Sequence, residues 1–126
     1  MIKADFFIDK INNQNSQNNQ YDEYDLIRSF VIYGHSDSAE SGRDIVCSAV
    51  SSAVYMAANT ITEVFGISPL DCKVSDGNFS FSLTVQDAKV CQYILRGLLL
   101  HLLNLEKQYS AFIKVNELSI KDNSEV

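Results

Sequence analysis

At 126 residues the chain has room for one hydrophobic core but not for two. Its hydrophobic fraction of 46% and charged fraction of 21% are those of a globular protein. A net charge of −6, with no basic stripe along any segment, sets nucleic acid aside as a direct partner.

No apolar run reaches the ~18–20 residues that crossing a bilayer takes, so a membrane is not expected as a partner either. The opening MIKADFFIDK reads as a strand and not as a signal peptide, because no basic region is followed there by an apolar block. Three cysteines (Cys47, Cys72, Cys91) make neither an even disulfide framework nor a CxxC pair, which fits a reducing, cytoplasmic setting.

Ile2, Ala4, Phe6 and Ile8 alternate with Lys3, Asp5 and Asp9, the period-two signature of a half-buried strand. The Asn- and Gln-rich stretch from Asn12 to Glu23 has almost nothing apolar to offset the entropy of ordering, so a mobile loop is expected. Leu26 to Tyr33, β-branched and aromatic, reads as the second strand. His35 to Arg43 is a polar connection with Gly42 near its end. Asp44 then suits a helix start. From there Val46, Val50, Ala53, Ala57, Ile61 and Val64 recur at helical spacing, until Gly66 and Pro69 stop the helix.

A hairpin follows. Leu70, Cys72 and Val74 alternate with polar residues, Asp76-Gly77 marks the turn, and Phe79, Phe81, Leu83 and Val85 alternate on the return. The spacing predicts a second helix from about Asp87 to Gln108, with Cys91, Leu95, Leu98, Leu102 and Leu105 on one face. Leu99, Leu100 and Leu103 add a second apolar face, more than one sheet needs, which suggests a central position or a subunit contact. Ile113 to Leu118 reads as a last strand, and residues 119–126 as a frayed tail. The order ββαββαβ predicts one α+β domain over residues 1–118. It would have two layers, with two long helices on one face of a mainly antiparallel sheet.

The chemistry gathers between Gly34 and Ala53, in GHSDSAESGRDIVCSAVSSA. A cysteine in the first turn of a helix faces unpaired N–H groups and the positive end of the helix dipole, and both favour thiolate over thiol. His35 ends the adjacent strand, and a short loop brings it back toward Cys47 as a general base. Asp37 and Asp44 are the nearby carboxylates, and Ser51 lies one turn after Cys47 on the same side. Each has a plainer reading. Free cysteine is among the most buried residue types, His35 is equally a strand-end residue, and Asp44 a helix cap. Cys72 and Cys91 fall on inward positions and read as core, and His101 has no thiol or carboxylate one turn away. No spacing of ligands suggests a metal, and neither a Walker loop nor GxGxxG suggests a cofactor.

Gly34-His35, Gly42 and Asp44-Ile45-Val46-Cys47-Ser48-Ala49-Val50-Ser51 resemble the pattern GHA…G-x-DIVCAAVS of the ribosomal-processing cysteine protease family (Prp, YsxB-like). The His–Cys spacing matches. Ser36 and Ser48 replace small apolar residues and leave the pair untouched. The resemblance implies a cytoplasmic cysteine endopeptidase that removes a short N-terminal extension from a bacterial large-subunit ribosomal protein. Cleavage in the family follows an apolar, Phe-containing sequence. By position His35 would be the base and Cys47 the nucleophile, with Gly34, Asp44 and Ser51 in supporting roles and a homodimer as the assembly. Two other readings stay open: a non-catalytic ribosome-assembly or peptide-binding module of the same fold, and a redox-active thiol protein, which has no partner cysteine nearby in sequence.

Overall fold

The computed structural model describes residues 1–10, 25–34, 43–75 and 77–120, with the backbone alone at 43 and 44. The Asn/Gln-rich loop, most of the connection after Gly34, Asp76 and the last six residues lie outside that description.

Five strands form one mixed sheet among the described residues: β1 (Ile2–Asp9), β2 (Leu26–Tyr33), β3 (Asp71–Ser75), β4 (Asn78–Ser82) and β5 (Ile113–Ser119), in the order β3-β4-β2-β1-β5. β1 pairs with β2, β2 with β4 and β4 with β3, all antiparallel, while β5 runs parallel to β1. The expected alternation holds in β1. In β2 a bulge opposite Phe7/Ile8 breaks it, so Ile27 and Phe30, three apart, both face inward. Phe30 is fully buried, with its ring 5.7 Å from Phe6, 5.8 Å from Phe79 and 5.5 Å from Phe81.

The first helix, α1 (Arg43–Asn59), buries Val46, Val50, Val54 and Ala57, then widens into a π-helical turn (Thr60–Val64) closed by Phe65 N–H donating to the Thr60 carbonyl. The wider turn carries Ile61 inward but swings Val64 out to 77% exposure, against the expected stripe. Gly66, at φ +72°, ends the helix as anticipated. The run Ile45–Val64 is long enough, with mean hydropathy 1.4, to cross a membrane by those two measures. Its serines and threonines hid this from the sequence reading, and Val46, Val50, Val54, Ala57, Ala58 and Ile61 of the run are already buried in the core.

The second long helix is two helices. α2 (Val85–Val90) is capped by the Thr84 hydroxyl, which accepts from Asp87 N–H at 3.1 Å, and α3 (Gln92–Gln108) follows a break at Cys91. Val85, expected on the strand, is therefore helical. At the break the Gln92 side chain accepts from Ile27 N–H at 3.0 Å and donates to the Ile27 carbonyl at 2.9 Å, standing in for a missing strand neighbour at the head of β2. Cys91 is buried as expected; burial first, then the Asp87 charge, push its thiol above the ordinary 9.0. Leu99 and Leu103 pack against the core beside the buried Leu95, Leu98 and Leu102. α3 touches both α1 and the sheet, so both of its apolar faces find contacts within the described residues, leaving Leu100 exposed. Cys72 departs from expectation: it lies on the helix-side face, opposite Phe81, yet is exposed.

The opposite face of the sheet carries polar pairs. The Tyr33 hydroxyl donates to Asp5 Oδ2 at 3.0 Å, and the Asn116 amide donates to Asp5 Oδ1 at 2.9 Å. The hydrogen bond to Asp5, then burial and the Asp5 charge, raise the Tyr33 phenol above its ordinary 10.0. Because the fold favours the neutral phenol, this contribution is whole below pH 10.0 and is lost as pH rises through the raised folded-state value. Denaturant titrations at increasing pH should therefore show wild type starting above Tyr33→Phe and converging on it in alkali; a gap that stays constant would contradict this linkage.

Candidate active site

The site forms where β1 begins, β2 and β3 end, and β4 begins. Gly34 follows β2 at φ +89°, a left-handed conformation that glycine adopts without penalty. A Cβ there would sit 2.5 Å from the Met1 carbonyl oxygen, so no other residue lets β2 leave the sheet along this path without a shift. Gly34 N–H donates to the Gly77 carbonyl at 3.1 Å, which ties the end of β2 to the turn between β3 and β4.

Against this corner α1 presents Cys47 and Ser51, four residues apart and hence on one face of the helix. The helix begins at Arg43, so Asp44 lies inside the first turn and Cys47 is the fifth helical residue, somewhat deeper than the sequence suggests. A helical side chain leans over the turn preceding its own Cα, so the sulfur is directed at the turn whose N–H groups lack helical partners.

Cys47 is half-buried and forms part of the wall of a cavity of about 290 Å³. Gly34 and Ser51 line the same cavity. Ile2, Ile32, Val50, Val54 and Phe79 supply an apolar interior, and Ser75, Gly77 and Asn78 a more polar contribution from the β3–β4 turn. Tyr55, one turn beyond Ser51, stands edge-on to Phe79 with ring centres 5.5 Å apart. A thiol on the wall of an open, largely apolar cavity, beside backbone at two strand ends, is suited to meeting an extended polypeptide.

Three of the five residues singled out in the sequence, Gly34, Cys47 and Ser51, thus come together. His35 directly follows Gly34 but lies outside the described residues, as do Asp37 and the Asp44 side chain. Of the two tyrosines adjoining the motif, Tyr55 is in the cavity wall, whereas Tyr33 is turned to the opposite face by its bond to Asp5. His101 is exposed on α3. The contributions of Ser75, Asn78 and Phe79 were not legible in sequence, where they read only as a hairpin; the glycine of that turn was the one cue.

A family model described as cysteine protease Prp matches residues 1–114. The chain belongs to the Prp cysteine protease family. The ribosomal processing cysteine protease Prp of Bacillus subtilis (strain 168) is 32% identical over 94 residues, spanning 71% of this chain and 84% of the relative. Its counterpart from Staphylococcus aureus (strain Mu50) is 28% identical over 92 residues, spanning 71% and 86%. The crystal structure of the Prp from S. aureus in complex with a substrate peptide has a TM-score of 0.72 at 24% identity, covering 93% of this chain and 99% of that one. SMU.848 from Streptococcus mutans matches equally well, with a TM-score of 0.72 at 24% identity over 95% of this chain and 96% of that one. At that identity these two likenesses speak for the Prp fold alone.

The two exposed left-handed glycines give a paired test. Gly66→Ala meets open space, so its cost should be the conformational ~1–2 kcal/mol alone. Gly34→Ala adds overlap with the Met1 carbonyl and should cost more in urea denaturation. It should also alter the rate at which iodoacetamide labels Cys47, which Gly66→Ala should leave unchanged.

Proposed function

We propose that this protein is a cysteine endopeptidase that removes the N-terminal extension of a bacterial large-subunit ribosomal protein, with Cys47 as nucleophile and His35 as general base. The observation that carries the reading is the shared cavity. Cys47 forms part of its wall, and Gly34, the residue immediately before His35, forms another part. Relatives named as ribosomal processing proteases support the substrate class, and the S. aureus relative with a substrate peptide supports a polypeptide as the ligand.

In this reading His35 takes the proton of the Cys47 thiol, and the resulting thiolate attacks the scissile carbonyl carbon as the carbonyl electron pair moves to oxygen. Unpaired N–H groups in the first turn of α1 stabilise that oxyanion. As the tetrahedral adduct collapses to a thioester, protonated His35 gives its proton to the departing amine. Neutral His35 then takes a proton from water, which attacks the thioester and releases the carboxylate product and the thiol. Ser51 lines the cavity beside the nucleophile, and Asp44 carries over from the family motif in a supporting role.

The cytoplasm as the place of action and a homodimer as the assembly belong to the same proposal. The dimer rests on the family resemblance, because the leucines that suggest a subunit contact are mostly taken up by the core.

Mass spectrometry of a synthetic peptide copying the extension, incubated with purified protein, tests the reading. Wild type should cut it at one bond, and Cys47→Ala and Cys47→Ser should not. His35→Ala should lose at least ~100-fold in turnover while keeping its folded stability. Binding without cleavage by wild type would favour the non-catalytic module, and an equal thermal collapse of His35→Ala would mark a structural histidine.

A further inference from the structure

Beside the Cys47 cavity runs a strip of sheet that none of the helices among the described residues covers. β3 is an edge strand, and its register sets Val74 opposite Phe79 and Cys72 opposite Phe81. Val74 and Cys72 therefore belong to the helix-side face, and Leu70 lies immediately before the strand, its N–H donating to the Ser82 carbonyl at 2.9 Å. Phe79 and Phe81 are buried on that face, yet Leu70 is 64% and Val74 55% exposed. The helix layer reaches β4, where Tyr55 meets Phe79, and goes no further.

The facing wall is the ridge Cys47, Ser51, Tyr55, spaced four apart along α1. Phe79 thus lies between this ridge on one side and Val74 of the β3 ledge on the other, all of them lining the cavity. The ledge's apolar groups recur every second residue, roughly 6.7 Å apart, which is the side-chain spacing on one face of an extended polypeptide. Among the described residues no strand pairs with the outer edge of β3, so backbone groups there are open to a peptide as well.

The geometry points to a remote substrate-binding ledge: an extended segment about two to four residues from the scissile bond seats an apolar side chain against Leu70, Cys72 and Val74. This inference rests on the protease reading above. From Val74 to Leu70 the ledge spans about 13 Å, enough for four extended residues. Contacts that far from the reacting carbonyl hold the chain in line for attack and are felt in substrate binding.

Steady-state kinetics would use the peptide copying the extension plus five residues beyond its cleavage point, and two versions, each cut back on one side to a single residue from the scissile bond. Leu70→Asp and Leu70→Ser place a polar group on an already exposed position, and Leu118→Asp, on the far edge strand, serves as a control. For the long peptide, Leu70→Asp should raise KM about tenfold, the loss of one well-seated apolar contact, with kcat within about twofold. Leu70→Ser should follow in the same direction. One trimmed peptide should bind wild type as weakly as the long peptide binds Leu70→Asp, and should no longer distinguish the two proteins. An unchanged KM for the long peptide, or an equal rise for both trimmed peptides, overturns the ledge and leaves the protease standing. A lower sedimenting mass in Leu70→Asp with KM unchanged also overturns it, marking the strip as a contact between copies of this chain. If wild type cuts none of the peptides, the protease reading fails and the ledge falls with it.

Discussion

Strand β2 stands at the centre of the sheet, and Phe30 holds it in register. Its ring lies within 6 Å of Phe6 on one neighbouring strand and of Phe79 and Phe81 on the other. Each such ring taken fully out of water contributes about 1.5–3 kcal/mol. A slip of one residue would turn Phe30 to solvent and break the cluster, so alternative pairings of β2 are costly. The Gln92 side chain fastens the head of the same strand by supplying both a donor and an acceptor to Ile27. With its middle and its head fixed, β2 delivers Gly34 to one place.

That placement builds the cavity. Gly34 passes so near the Met1 carbonyl that a side chain would collide with it, and its N–H is spent on the Gly77 carbonyl. The start of β1, the end of β2 and the β3–β4 turn are thereby drawn together at a corner. Helix α1 closes the corner with two adjacent ridges that do different work. Val46, Val50 and Val54 are buried in the core, the last two also forming the cavity's apolar interior, and Cys47, Ser51 and Tyr55, each one residue later, form its more exposed wall. The packing that stabilises the helix is therefore also what aims the thiol.

The one-sided architecture explains what is left bare. With helices on one face and β3 at the edge, the inner strands are covered while Cys72 and Val74 of the edge strand stay exposed. The leucines of α3 are accounted for by its position between sheet and α1. A fold shared with solved Prp structures at 24% identity is held by pattern and volume more than by particular residues.

Local sequence carried the strands β1 and β2, the turn glycines Gly34 and Gly77, the helix stop at Gly66 and the i, i+4 pairing of Cys47 with Ser51, because periodicity and backbone sterics act over a few residues. The motif around Cys47 also carried the family, since its residue types and spacing are read without coordinates. Other features were decided only in three dimensions. The parallel seat of β5 beside β1 and the break at Cys91 where Gln92 meets Ile27 depend on partners distant in the chain. Cys72 has the alternation of an inward residue, yet it is exposed, because alternation assigns a face and only the neighbouring layer decides whether that face is covered. The cavity itself is of this second kind: Phe79 and Asn78 join Cys47 there through strand pairing, and no local pattern encodes which strand ends will meet.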